Sequence, residues 1–457
     1  MTRDTIAAIS TPAGVGAVGI IRISGPASRT VLNRLWINDD HPVDKFETHR
    51  LYYGKLASKA DETGTNPQVI DNVLAVWMGA PHSYTGEDVV EIHCHGGAVS
   101  TKEILLMVTS CGARPAEPGE FTRQAFLNGR LDLMQAEGVA EVISASSERA
   151  LRLANEQING RPSREIRRLQ SELKEIKAFV EATIDFPEED IEFIEHERMA
   201  GKIEGILFGV RRLLSTYKEG RLIHDGVRTV ILGRPNVGKS SILNALLGND
   251  RAIVHHTPGT TRDTIEESAQ INGLCFRLID TAGIRNTANE VEKIGIDRAR
   301  ESAENADLIM VVLDAGSPIT EEDMALINVP GGVPRVVVLN KIDKNSVAPA
   351  NIHTDVQTSA TVGTGIEDLK RKLASCMTGQ VEKAHGGVTI TNARHRNLLE
   401  EAASALESSL AEIGKKESAE FIAHHLQAAM TALGKITGEV TTEDVLNEIF
   451  SKFCIGK

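Results

Sequence analysis

The stretch Val227-Arg-Thr-Val-Ile-Leu-Gly-Arg-Pro-Asn-Val-Gly-Lys-Ser-Ser-Ile-Leu-Asn-Ala-Leu-Leu-Gly248 decides the fold. Its first six residues are a compact apolar run that reads as a buried strand. Ser241–Leu247 reads as a helix ended by Gly248. Between them, Gly233 to Ser240 fits the pattern G-x-x-x-x-G-K-[ST] without mismatch. In such a loop the glycines let backbone N–H groups turn inward around phosphate oxygens, and the helix N-terminus adds a favourable dipole. Lys239 neutralises charge on the β- and γ-phosphates and Ser240 supplies an oxygen to Mg²⁺, while Asn236, Val237, Gly238 and Ser241 complete the cradle.

Three further motifs follow in order, each after an apolar run. Asp280-Thr281-Ala282-Gly283 follows Leu274–Ile279, placing a carboxylate for magnesium and an amide for the γ-phosphate. Asn340-Lys341-Ile342-Asp343 follows Val336–Leu339. The Asp343 carboxylate accepts two hydrogen bonds from guanine, whereas adenine would present it with a lone pair. An ATPase is disfavoured on that ground. Ser359-Ala360 lies downstream, where a backbone amide meets the guanine oxygen. Together the four read as a GTPase domain.

Ile284 stands where many small GTPases carry the glutamine that orients the attacking water. Hydrolysis then needs another water-positioning group and another source of positive charge. Glu290 and Glu292 are the nearby acids. Asn236 and the loop His255-His-Thr257-Pro-Gly-Thr260-Thr261 offer neutral oxygens suited to a large monovalent cation, and Thr261 is the natural switch threonine for Mg²⁺. No acid or thiolate accompanies the two histidines, which disfavours a transition-metal site there.

Outward from this core, apolar runs alternating with helical segments over about 221–380 predict a mostly parallel sheet wound with helices. Residues 1–118 mix β-rich runs such as Val18–Ile23 and Val89–Cys94 with Gly/Pro turns; 119–222 and 381–457 read as helical, with a turn expected at Asp185–Asp190. The predicted fold class is a multidomain α/β protein: a mixed N-terminal domain (1–118), a helical domain in two parts (119–222 and 381–457), and an inserted P-loop GTPase domain (223–380). The 50 Lys and Arg against 63 Asp and Glu leave a formal charge of −13, too acidic for a protein that coats nucleic acid. The basic cluster Arg161, Arg164, Arg167 and Arg168 reads first as a solvated helix face, and second as a tRNA contact. Five scattered cysteines form no C-x-x-C pair, so a reducing cytoplasm is expected. No apolar stretch reaches the roughly 20 residues that span a bilayer, and no membrane association is expected. The His93-Cys94-His95 triplet reads as strand packing, since neighbours on a strand face opposite ways.

Gly233–Ser241, Pro258–Asp263, Asp280–Ile284 and the terminal Phe453-Cys-Ile-Gly-Lys457 together resemble the MnmE (TrmE) family of bacterial tRNA-modification GTPases. So do Gly16–Gly25, Thr85–Glu91, His95–Gly97, Pro118–Phe121 and Asp185–Pro187. The resemblance covers essentially the whole chain. It implies a homodimer formed through the N-terminal domain, which binds 5-formyltetrahydrofolate. It also implies a heterotetramer with the flavoprotein MnmG, which acts on tRNA to add a carboxymethylaminomethyl group to the wobble uridine. Potassium is implied to activate GTP hydrolysis as two G domains meet. By motif position, K⁺ ligands fall at Asn236, His255, Thr257 and Thr260, Mg²⁺ ligands at Ser240 and Thr261, and the catalytic glutamate at Glu292. The folate site falls at Arg22, Glu91, Arg130 and Lys457, with Cys454 nearby in the signature tail. Arg130 replaces a frequent lysine, and the two cations are not interchangeable at a tight site. The competing reading is a regulatory ribosome-assembly GTPase, for which the N-terminal domain and the cysteine-bearing tail would have no use.

Overall fold

The computed structural model describes residues 4–58, 68–185, 193–248, 266–280, 306–330, 332–344, 352–381, 387–415 and 418–457. The chain divides into two compact units, one of residues 1–140 with 434–457, the other of 141–433.

In the first unit, strands β1 (Ile6–Ile9), β2 (Val18–Ser24), β3 (Trp36–Ile37), β4 (Leu51–Ala57), β5 (Val69–Met78), β6 (Val89–His95) and β7 (Arg114–Pro115) form a sheet of order β3-β4-β5-β6-β2-β1-β7. It is antiparallel except for the β1–β7 pair. Alternation sorts the side chains: Ile21, Ile23, Val90 and Ile92 point into a core with Leu32 and Ile104 of the helices Ser28–Leu35 and Ala98–Ser110. Arg22 and Glu91 therefore share the other face, directly opposite each other in the β2–β6 register. The C-terminal helix Glu443–Ser451 starts at Thr442, whose hydroxyl accepts the Val445 N–H. It packs Leu446, Ile449 and Phe450 against Leu133 and Ala136. Gly119 (φ +70°) lets the chain pass beneath it, because a Cβ there would lie 2.6 Å from the Phe450 carbonyl oxygen.

In the second unit, β8 (Val227–Leu232), β9 (Glu266–Ile271), β10 (Leu274–Asp280), β11 (Leu308–Asp314), β12 (Arg335–Asn340) and β13 (Val356–Gln357) form a sheet of order β13-β12-β11-β8-β10-β9. Every pair is parallel except β9–β10. Ile231, Phe276, Met310 and Val338 enter one core, and Val230, Ile309, Val311 and Leu339 enter the other. Burial on both faces explains why these strands read as unbroken apolar runs.

In the helix Arg161–Asp185, Ile166, Leu169, Leu173, Ile176 and Val180 recur at steps of three and four and are all buried. On its polar side Arg168 pairs with Glu165 and Glu172, and Arg212 also reaches Glu165. The helix is described as far as Asp185; the rest of the expected turn lies outside the described residues. The segments entering and leaving the α/β part are tied together: the Thr216 hydroxyl accepts the Ile390 N–H at 3.1 Å. A Cβ at Gly220 would lie 2.1 Å from the Ile390 carbonyl oxygen, so only glycine allows this approach. Among the described residues no helix is long and apolar enough to cross a membrane.

Candidate nucleotide and folate sites

The phosphate loop leaves β8 at Gly233, whose φ of +150° and a clash of 2.5 Å between a Cβ and the Val312 carbonyl oxygen exclude other residues. Asn236 is also left-handed (φ +65°), a strained conformation for a residue with a side chain. Gly238 (φ +97°) begins the helix Lys239–Leu247 and lies against Asn340, where a Cβ would meet Nδ2 at 2.3 Å. Lys239 is largely buried, and its ammonium donates to the carbonyl oxygens of Gly233 (2.7 Å) and Arg234 (2.9 Å), which aims it across the loop. Val237 is buried and anchors the loop, while Asn236, Ser240 and Ser241 are exposed. Arg234 fixes the far side of the loop through its 2.9 Å bond to the buried Asp323 carboxylate.

The hydroxyl of Ser240 donates to Asp280 Oδ2 at 3.1 Å, bringing together donors from two motifs 40 residues apart. A hydroxyl and a carboxylate meeting at a helix N-terminus form a hard-oxygen set that fits Mg²⁺. Thr281, Ala282, Gly283, Glu290, Glu292, His255, Thr257, Thr260 and Thr261 lie outside the described residues.

The residues expected to read the base converge on one side chain. Asn340 Nδ2 donates to the Val237 carbonyl oxygen at 3.0 Å, and Asn340 Oδ1 accepts the Ala360 N–H at 3.2 Å and the Thr358 hydroxyl at 3.3 Å. One buried amide thus ties the phosphate loop to the Ser359-Ala360 loop. The Ser359 hydroxyl donates to Asp343 Oδ1 at 2.6 Å, fixing that carboxylate. Lys341, left-handed at φ +66°, donates to the Asn236 carbonyl oxygen at 2.5 Å and to Asp314 Oδ2 at 2.7 Å. Asp314 belongs to none of the four motifs. Its place at the carboxyl end of a strand, where open α/β sheets bind ligands, was the available signal.

In the first unit, Arg22 contacts Glu91 Oε1 through Nε at 2.9 Å and through a terminal nitrogen at 2.8 Å. Its other terminal nitrogen donates to the Gly456 carbonyl oxygen at 3.2 Å, across 434 residues of sequence. The guanidinium also lies 5.4 Å from the Tyr84 ring centre and 5.7 Å from that of Phe121. Lys457 is half-buried; desolvation, with Arg22 nearby, holds its ammonium below the ordinary lysine value despite Glu91. The tail is closely fitted, because a Cβ on Gly456 (φ +92°) would lie 2.6 Å from the Ile9 carbonyl oxygen. A carboxylate beside two cations suits a ligand bearing both acidic groups and a hydrogen-bonding ring, as a folate does. Arg130 is exposed and lays its stem against Gly86. Cys454 is exposed. Cys94 is buried with its thiol on the Gly19 carbonyl oxygen, and His93 and His95 project from the opposite face of β6. Among the described residues no group of three His, Cys, Asp or Glu is placed to hold a metal.

A phosphate loop from β8, a carboxylate ending β10 and a base-reading loop after β12, on a mostly parallel sheet, define a P-loop GTPase domain. The family model for the GTP-binding protein TrmE N-terminus matches residues 5–130, and that for the MnmE helical domain matches 133–454. The curated tRNA modification GTPase MnmE of Natranaerobius thermophilus is 41% identical over 465 residues, covering 100% of both chains. Those of Heliobacterium modesticaldum and Chloroflexus aurantiacus are each 44% identical, also over 100% of both chains. The chain belongs to the MnmE family of tRNA modification GTPases.

Proposed function

We propose that this chain is a GTP-hydrolysing tRNA modification enzyme that, with the flavoprotein MnmG in a heterotetramer, adds a carboxymethylaminomethyl group to the wobble uridine. The single observation that carries the nucleotide reading is Asn340, whose amide joins the phosphate loop at Val237 to the base loop at Ala360. Lys239 and the inward amides of 236–241 hold the phosphates, and Asp343, Ser359 and Ala360 read guanine. Ser240, Asp280 and Thr261 would hold Mg²⁺, which supplies charge to the β- and γ-phosphates. Asn236, His255, Thr257 and Thr260 would hold K⁺, whose charge serves where other GTPases use an arginine. Glu292 takes the proton of the attacking water, while Thr281, Ala282 and Gly283 line the γ-phosphate. In this reading G-domain pairing within a cytoplasmic homodimer completes the cation site.

The division into domains 1–118, 119–222 with 381–457, and 223–380 belongs to the same proposal. In the first unit Arg22, Glu91, Arg130 and Lys457 bind 5-formyltetrahydrofolate. The Arg22–Glu91 pair and the docked tail favour this over the alternative of a ribosome-assembly GTPase, which needs no such site. Nucleoside analysis of tRNA from a strain lacking the protein tests the choice. Loss of the modified wobble uridine is expected; unchanged wobble uridines would rule the proposal out.

A further inference from the structure

β11 lies between β8, which leads into the phosphate loop, and β12, which leads into Asn340-Lys341. Asp314 ends that middle strand. Both of its carboxylate oxygens are engaged: Oδ1 accepts the Gly316 N–H at 2.9 Å, and Oδ2 accepts the Lys341 ammonium at 2.7 Å. The same ammonium donates to the Asn236 carbonyl oxygen at 2.5 Å. Both residues that Asp314 links in this way, Asn236 and Lys341, are left-handed non-glycine residues, a conformation that persists only where surroundings hold it. The sheet ladder does not supply that hold, since neither residue lies within a strand. Partial burial pushes the Asp314 carboxyl up. The Lys341 bond, the Gly316 N–H and the charges of Lys341 and Lys344 outweigh this and keep it below the ordinary carboxylate value, ionised at neutral pH.

We propose that Asp314 is a positioning residue of the nucleotide site. Through Lys341 it fixes the Asn236 carbonyl, locks the phosphate loop to the guanine-reading loop, and so sets how long a guanine nucleotide stays bound. The inference rests on the guanine-nucleotide reading above. A lysine with one ionic and one carbonyl acceptor is held in place. With a neutral amide at 314, the ion pair is lost and only a weaker contact from the ammonium remains, so the lysine leaves the loop more readily.

Release of a fluorescent N-methylanthraniloyl-GDP from the full chain tests this, using the wild type, Asp314→Asn, Asp314→Glu, Lys341→Met and the Asp314→Asn/Lys341→Met double variant. Asp314→Asn is expected to speed release about tenfold, the effect of replacing an ionised acceptor by a neutral one, with association changed less than about twofold. Asp314→Glu should recover part of the wild-type rate. In the Lys341→Met background, Asp314→Asn should change release by less than about twofold, because the two act through one contact. Wild-type release rates in Asp314→Asn, or an undiminished effect in the Lys341→Met background, would overturn the inference. Absence of GDP binding by the wild type would instead overturn the nucleotide reading beneath it.

Discussion

Asp343 and Ser359, from loops that follow different strands, are joined by a 2.6 Å hydrogen bond from the serine hydroxyl to Oδ1. The carboxylate proposed to read the base is thus oriented by the protein, with Oδ2 open to one guanine N–H and the second lone pair of Oδ1 open to the other.

Replacing Asp343 by Asn keeps the shape and reverses part of the hydrogen-bond pattern. Two charge-assisted bonds worth about 1.5–3 kcal/mol each are lost with guanine. GTP affinity should fall at least about 100-fold, and xanthosine triphosphate, with an oxygen where guanine has its amine, should become the better ligand. Competition binding of the two nucleotides checks this; unchanged GTP preference would contradict it.

Glu292→Ala should bind GTP normally and turn it over about 10²- to 10⁴-fold more slowly, the usual worth of a general base. Single-turnover hydrolysis alongside equilibrium binding separates the two effects. Normal turnover would move the role to another residue.

Glu91→Gln removes the charge that holds Arg22 in its two-point contact. Affinity for 5-formyltetrahydrofolate, measured by titration calorimetry, should drop about tenfold or more. An unchanged affinity would place the folate elsewhere.

Asp355 bears on acid stability. Partial burial pushes its carboxyl up, but the Lys372 ammonium at 2.8 Å and the Val337 N–H at 2.9 Å overcome this and hold it below its ordinary value of 3.8. A carboxyl depressed in the fold adds stability above its unfolded value and loses it as pH falls through the lower folded one. Asp355→Asn should therefore melt about 2–4 °C below the wild type at pH 7, and the gap should narrow as pH drops below about 4. A gap constant from pH 7 to pH 3 would show that the charge is not responsible.

The central strands of the nucleotide domain were legible because burial on both faces writes them as apolar runs: Val227–Leu232 has the same limits in the structure as in the sequence, and Leu274–Ile279 gains only Asp280. The edge strand Glu266–Ile271 was not, because Glu-Glu-Ser-Ala-Gln-Ile carries too few apolar residues to show a period. β4 and β5 escaped for a related reason, since Leu51, Tyr53 and Leu74 lie on an exposed face. The expected nucleotide residues are marked out by local spacing. Asp314 carried no such spacing: its strand-end position was a general signal, and the contact that singles it out is Lys341 reaching back to Asn236. The meeting of Arg22 with Gly456 is of the same kind: the resemblance placed Lys457 near the folate site, but no local pattern links residues 434 apart.

The rate of GTP hydrolysis by the full chain, measured in potassium and in sodium at equal ionic strength, tests the account most directly. Hydrolysis should be at least about tenfold faster in potassium, and Asn236→Ala should erase the difference. Equal wild-type rates in the two salts would contradict the account.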